Sequence, residues 1–186
     1  MGELLKLSPR YSDEKWIRMK KRPTLSSKHV IRTVDLFAGC GGLVVGTMEA
    51  CRRLKLGHQI ELANEWDPDA LNIFNNNLHP NVAICGDVSK LFDGPLDSDK
   101  LTKNEKQLKK MHPDIMEPDL LTGGPPCQGH SDLNNHSRRD DPRNGLYFRM
   151  IRAARVLKPK AIIIENVSTV IHSKERVVQQ SVKLLE

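Results

Sequence analysis

The alternation of short apolar runs with amphipathic segments constrains the fold of this 186-residue chain more than any other feature. Runs such as Asp119-Leu120-Leu121-Thr122 are short and apolar, as expected of strands buried in a parallel sheet. Parallel strands need long crossovers, and the segments between the runs have helical spacing. The sequence therefore predicts an α/β fold with helices on both faces of a parallel sheet. The predicted strands span residues 30–37, 59–63, 82–85, 119–122 and 161–164, and the predicted helices span 43–54, 67–77, 104–111, 144–157 and 177–185. Asp67-Pro68, an N-cap followed by proline at the first helical position, predicts the start of the second helix. Residues 89–117 are charged and irregular apart from the predicted helix 104–111.

The predicted last strand, Ile162-Ile163-Ile164 with Ala161, is apolar on both faces, as in an interior strand. Only one more helix is predicted after it, so no later segment can pair with it. If the strand lies at the edge of the sheet, its apolar surface is uncovered and prone to association. We therefore expect a sheet that is incomplete at its C-terminal side.

Composition and cysteine usage exclude several classes of protein. Hydrophobic residues make up 38% of the chain and charged residues 28%, which is ordinary for a soluble domain. No apolar stretch is long enough to span a bilayer, and no signal peptide is evident, so we expect no membrane association. Four cysteines without paired metal-ligand spacing predict reduced thiols, an intracellular location and no metal site.

Most of the net charge of +6 lies at the N-terminus, because residues 1–29 carry eight Lys/Arg against three Asp/Glu. We interpret residues 1–29 as a basic extension and residues 30–186 as one domain. The extension is suited to contact nucleic-acid phosphates. A solvated, partly disordered tail has the same composition. The sequence favours neither interpretation.

A candidate nucleophile follows the fourth predicted strand, in the segment Gly124-Pro125-Pro126-Cys127-Gln128-Gly129-His130. Proline fixes φ, so the two prolines make a stiff turn that holds the thiol of Cys127 in one place. Ligands and catalytic groups of open α/β sheets gather at the carboxyl ends of strands. A structural cysteine more often lies inside an apolar run. The position of Cys127 therefore favours a catalytic role over a structural one.

Three further strand ends predict a nucleotide-like cofactor. The turn Gly39-Cys40-Gly41-Gly42 allows close backbone approach by a ligand. Glu65 can accept hydrogen bonds from ribose hydroxyls, Trp66 can stack on an adenine, and Asp87 can accept from its amino group. Each residue alone has a plainer interpretation, as a solvated carboxylate, a core aromatic or a helix cap. The turn has no basic residue and no phosphate-binding motif, so S-adenosylmethionine fits this acidic site better than a polyphosphate.

These segments resemble the DNA (cytosine-5)-methyltransferase family, in the family's order, over residues 31 to about 167. The matching blocks are Asp35-Leu36-Phe37-Ala38-Gly39-Cys40-Gly41-Gly42-Leu43, Asn64-Glu65-Trp66-Asp67, Gly86-Asp87-Val88, residues 123–131, Asp141-Pro142-Arg143-Asn144-Gly145-Leu146 and Glu165-Asn166-Val167. The resemblance implies a Rossmann-like class I sheet that binds S-adenosylmethionine. The implied cofactor-binding residues are Phe37, Gly39, Cys40, Gly42, Glu65, Trp66, Asp87, Val88, Pro126 and Leu146.

The resemblance also implies a chemistry. The Cys127 thiolate adds to carbon 6 of cytosine, which makes carbon 5 nucleophilic toward the methyl donor. Glu165 stabilises protonation of the base at N3, and Asn166 holds the surrounding loop geometry. The base must leave the duplex to be reached, and residues 128–143 then form a polar loop over it. The expected DNA-contacting residues of this loop are Gln128, Ser131, Arg138, Arg139 and Arg143.

The chain departs from the family in lacking its later blocks, among them an arginine-containing element and the target-recognition domain. The expected partners are therefore duplex DNA and, if the enzyme is split, a second polypeptide; a truncated fragment is the other account. We expect a role in bacterial restriction–modification, in the cytoplasm near the nucleoid. Two alternative functions remain: an RNA cytosine-5 methyltransferase and a non-catalytic cofactor-binding subunit. We further expect the isolated chain to bind S-adenosylmethionine weakly and to methylate no DNA.

Overall fold

The computed structural model describes residues 27–126 and 144–166, together with Arg18, Gln179, Val182 and Lys183. The strands are β1 (Val30–Leu36), β2 (Gly57–Glu65), β3 (Val82–Cys85), β4 (Leu120–Gly123) and β5 (Ala161–Ile164). The α-helices are α1 (Gly42–Arg53), α2 (Pro68–Leu78), α3 (Val88–Leu91), α4 (Lys103–Met111) and α5 (Asn144–Leu157), and a 3₁₀ helix spans Pro113–Ile115.

The five strands form one sheet in the order β3-β2-β1-β4-β5, and every pairing is parallel. The order reverses between β1 and β4, where open α/β sheets bind their ligands. The α/β prediction is therefore confirmed, with all five predicted strands in place. β2 extends two residues beyond the predicted 59–63 at each end, and Glu61 within it lies at a register shift against β1. The bulge lets a buried carboxylate interrupt the apolar pattern, and Arg32 pairs with it at 2.8 Å.

Helices cover both faces of the sheet, each over its own apolar cluster. On one face, residues of α1 and α2 pack on β1 and β2; that cluster contains Ala38, Val44, Ile60, Ala63, Leu71, Phe74 and Leu78. On the other face, α3, α4 and α5 pack on strand residues such as Val34, Leu62 and Leu121. These layers make the sheet rigid at the carboxyl ends of its strands.

A buried ion pair organises the segment between β3 and β4, which the sequence analysis treated as largely irregular. Arg152 of α5 is fully buried and binds both carboxylate oxygens of Glu105 at 2.7 and 2.6 Å. It also donates to the carbonyls of Pro95, Ser98 and Lys100. Glu105 completes a capping box with Thr102 at the start of α4. One arginine thus anchors a loop without regular hydrogen bonding.

Within the described residues, β5 lies at one edge of the sheet. Its Ile163 is 46% exposed, in contrast to the buried surroundings of an interior strand. The predicted helix 177–185 lies largely outside the described residues, as does most of the basic extension. Among the residues that the structure describes, no helix is long and apolar enough to cross a membrane.

Candidate active site

A cavity of about 650 Å³ lies at the carboxyl ends of the strands. Its lining residues are Phe37, Asn64, Glu65, Trp66, Gly86, Asp87, Val88, Gly124, Pro126 and Leu146. Seven of these were predicted to bind the cofactor; Asn64, Gly86 and Gly124 were not. Gly39, Cys40 and Gly42 were predicted too, but they are not among the lining residues. The structure thus brings most of the predicted pocket together around one space.

The glycine turn is joined to the end of β2 by the Glu65 carboxylate. Its Oε2 accepts from the Gly39 N–H at 2.8 Å, and its Oε1 accepts from the Trp66 and Asp67 N–H groups at 2.9 and 3.0 Å. A carboxylate has about four acceptor positions, so one stays available to a ligand hydroxyl. The turn itself needs Gly41, whose φ is +93° and whose Cβ position is blocked by Leu78.

Trp66 lines the cavity between the end of β2 and the start of α2, and its side chain is not packed in the core. Its side chain is 75% exposed, so the core-aromatic interpretation is wrong. The following residue, Asp67, caps α2 by accepting from the Asp69 and Ala70 N–H groups, with Pro68 at the first helical position as predicted. An exposed aromatic face beside a cavity is suited to stacking on a ligand ring.

Asp87 occupies the end of β3 and is also a helix cap. Its Oδ1 accepts from the Ser89 N–H at 2.8 Å, which stabilises the start of α3. Its Oδ2 makes no hydrogen bond to the described residues, and Asp87 lines the cavity. The cap interpretation and the ligand interpretation are therefore compatible. The preceding Gly86 has φ +155°, a conformation that side chains rarely adopt.

Glu165 follows β5 and lies against the start of the turn that leads to Cys127. Its N–H donates to the Gly123 carbonyl at 2.9 Å. A Cβ added at Gly124 would lie 3.2 Å from Oε2 of Glu165, so the glycine leaves room for the carboxylate. Pro126 lines the cavity, and Cys127 is the next residue in the chain. Glu165, the predicted acid, therefore lies at the same edge of the sheet as the turn that precedes Cys127, the predicted nucleophile.

A buried carboxyl that the sequence analysis gave no role lies just before the glycine turn. Asp35 of β1 is 1% exposed, its Oδ1 accepts from the Thr122 hydroxyl, and its Oδ2 has no partner among the described residues. Burial raises its pKa to about 6; the Thr122 hydrogen bond opposes this rise, and the Glu65 charge adds to it. The signal that could have found Asp35 is a carboxylate between two apolar residues, Val34 and Leu36, near the end of a predicted strand.

Several predicted residues lie outside the described part of the chain: Cys127, Gln128, Ser131, Arg138, Arg139 and Arg143. Of the catalytic assignment, Glu165 and Asn166 are described, and Asn166 is half-buried. In the described residues no group of three or more His, Cys, Asp or Glu could hold a metal ion. Cys40, Cys51 and Cys85 are free thiols.

Comparison with known proteins decides the family. The model of the C-5 cytosine-specific DNA methylase family matches residues 31–186. The chain belongs to this family. The type II methyltransferase M1.BsuMI of Bacillus subtilis (strain 168) is 40% identical over 163 residues, which are 87% of this chain and 37% of that protein. M.AquIA of Picosynechococcus sp. is 30% identical over 141 residues, 76% of this chain and 50% of that protein.

A solved structure agrees with the family assignment. The crystal structure of a prophage-encoded DNA modification methyltransferase (E. coli) superposes with a TM-score of 0.61 at 29% identity, over 83% of this chain and 37% of that one. The resemblance to the C-5 cytosine methylases and the Rossmann-like fold are thereby confirmed. This chain spans about a third to a half of the length of these relatives.

Proposed function

We propose that this C-5 cytosine methylase chain transfers a methyl group from S-adenosylmethionine to carbon 5 of a cytosine flipped out of duplex DNA, in a type II restriction–modification system. The observation that carries the proposal is the acid-lined cavity beside the Gly124 turn and Glu165. Relatives named type II methyltransferases support the substrate class.

The cavity fits the proposed methyl donor in size and in charge. Its volume of about 650 Å³ lies within the range of roughly 300–1,000 Å³ usual for cofactor sites. Two carboxylates and no basic side chain are found among its described lining residues. That balance disfavours a polyphosphate and favours a ligand with positive centres. Trp66 and Asp87 offer a stacking face and an acceptor to adenine, and Glu65 offers an acceptor to ribose.

When bound, S-adenosylmethionine supplies an electrophilic methyl group. The chain's own part begins with the Cys127 sulfur, which bonds to carbon 6 of the cytosine as Glu165 holds a proton at N3. Carbon 5 takes the methyl group, and the donor's carbon–sulfur bond breaks. A base then removes the carbon 5 proton. The Cys127–carbon 6 bond breaks, which restores the double bond and frees the thiolate.

Recognition of DNA needs residues beyond those of this chain, whether they belong to the same polypeptide or to a second one. The loop residues Gln128, Ser131, Arg138, Arg139 and Arg143 are proposed to contact the DNA around the extruded base. The partial coverage of the relatives supports this proposal.

The deciding experiment measures labelled methyl transfer to duplex DNA, with transfer RNA as the competing substrate. The chain is assayed alone and with polypeptides that supply the remaining family blocks. We expect weak binding of S-adenosylmethionine by the chain alone, and methylated DNA only in the complemented sample. Cys127→Ser should abolish the covalent adduct with a duplex containing 5-fluorocytosine, and the control variant Cys85→Ser, at an exposed cysteine without an assigned role, should keep it. An adduct that persists in Cys127→Ser would show that another residue attacks, and methylation of RNA alone would refute the DNA assignment.

A further inference from the structure

Asn64 joins the three strand ends that surround the cavity, although its side chain is only 1% exposed. Its backbone carbonyl accepts from the Ala38 N–H, at the start of the glycine turn, at 3.1 Å. Its side-chain nitrogen donates to the Ile84 carbonyl and to the Gly86 carbonyl, both at 3.0 Å. Glu65, which binds the glycine turn, is the next residue. One asparagine thus connects β1, β2 and the turn after β3.

The hydrogen-bonding partners require an amide at this position. Both partners are carbonyl oxygens, which only accept, so the side chain must present two N–H donors to them. An aspartate has the same shape but no donors when ionised, and a carboxylate beside two carbonyls in a buried site is unfavourable. Serine and threonine have one donor each. The geometry is therefore specific to asparagine among side chains of this length.

In the described residues, few other hydrogen bonds hold the turn after β3 that Asn64 binds. The Gly86 N–H donates to the Glu65 carbonyl at 2.9 Å, and at φ +155° the residue has a backbone conformation that side chains rarely adopt. β3 is the edge strand of the described sheet, so its outer side has no strand against it. Asp87 follows the turn directly: Asn64 holds the carbonyl of the Gly86–Asp87 peptide, and the Ser89 N–H binds Oδ1 of the Asp87 carboxylate.

We infer that Asn64 is a positioning residue that aims the Asp87 carboxylate at the amino group of the cofactor's adenine. The inference rests on the proposed function, since it assumes an adenosine ligand in this cavity. Asn64 touches neither the adenine nor the reacting atoms in this account. Its contribution is selectivity for a 6-amino purine.

The test compares two ligands on the same protein by calorimetry. The ligands are S-adenosylhomocysteine and its analogue with hydrogen in place of the 6-amino group. A hydrogen bond to a carboxylate should give the native chain a preference for the amino ligand of about 10-fold or more. Asn64→Asp should bring the two dissociation constants within about 2-fold of each other, because the Asp87 carboxylate is no longer held in place.

The ratio separates positioning from general damage. Leu62→Ala, a buried change on the same strand, lowers stability but should leave the ratio at the native value, since unfolding reduces binding of both ligands equally. If Asn64→Asp does not fold, Asn64→Ala decides, because it removes the donors without burying a charge. A native ratio in a folded Asn64 variant would overturn the inference. Failure of the native chain to bind either ligand would instead refute the proposed adenosine site itself.

Discussion

The buried carboxyl of Asp35 should contribute less to stability as pH rises, so the stability advantage of Asp35→Asn over the native protein should grow with pH. Oδ2 of Asp35 has no partner among the described residues, so ionisation places a charge in a site that does not solvate it. The pKa is about 6 in the folded protein against an ordinary value of 3.8. Asparagine keeps the shape and cannot ionise.

The sign and size follow from proton linkage. A carboxyl with a raised pKa holds its proton more tightly in the folded state than in the unfolded state, so its favourable contribution exists below the unfolded pKa and is lost as pH rises through about 6. One pKa unit corresponds to about 1.4 kcal/mol, which gives a loss of about 2 kcal/mol between roughly pH 4 and pH 7. Asp35→Asn should therefore match the native protein near pH 4 and exceed its stability by about this amount near pH 7.

His58 acts in the opposite direction over the same interval. Burial lowers the pKa of His58 from 6.5 to about 4, so His58 is neutral in the folded protein above that pH. The folded state therefore gains stability relative to the unfolded state as pH rises toward 6.5. The two groups largely cancel in the native protein. Asp35→Asn should reveal the slope from His58, with stability that increases between about pH 4 and pH 6.5.

Urea unfolding of both proteins at half-unit pH steps measures the difference directly. Thr122→Val is the companion variant, because loss of the Thr122 hydroxyl removes the hydrogen bond that lowers the Asp35 pKa. Thr122→Val should raise the pKa of Asp35 further, so the contribution of Asp35 to stability should be lost at higher pH. A stability difference between Asp35→Asn and the native protein that stays constant from pH 4 to pH 7 would show that Asp35 does not titrate in this range, and the reasoning would be wrong.

Three further predictions concern the site and its support. In the complemented enzyme, Gly124→Ala should slow methyl transfer by about 10-fold or more, because its Cβ would lie 3.2 Å from Oε2 of Glu165; single-turnover rates measure this. Arg152→Met should cost about 3–5 kcal/mol by urea unfolding, since it leaves the fully buried Glu105 without its cation. Trp66→Ala should weaken binding of S-adenosylmethionine by about 10-fold or more at nearly unchanged stability, because the ring is exposed in the free protein.

Two of these predictions have a control variant. Gly46→Ala adds a Cβ with nothing within 4 Å and should not slow turnover. Replacing Glu105 by Leu together with Arg152→Met should recover much of the lost stability, because no unpaired charge is then buried. The predictions fail if Gly124→Ala reacts at the native rate, if Arg152→Met unfolds at the native midpoint, or if Trp66→Ala binds the cofactor as tightly as the native chain.

The sequence predicted the elements that local patterns define. The Asp67-Pro68 pair correctly located the start of α2, because capping and proline geometry depend on neighbours in the chain. The pattern was less informative where tertiary contacts compensate polar residues. The predicted strand 59–63 included Glu61, but its bulge against β1 and its buried ion pair with the distant Arg32 were visible only in the tertiary structure.

Motifs by themselves determined the family resemblance, the order of the strands along the chain and the residues gathered at their carboxyl ends. Only the tertiary structure decided how those residues support one another: Glu165 against Gly124, Asn64 on the turn after β3, and Arg152 on a Glu105 that is 47 residues away in the chain. The physical reason is that periodicity records which face of an element is buried. The partner of a buried polar group depends on the spatial order of strands and helices, which local patterns do not encode.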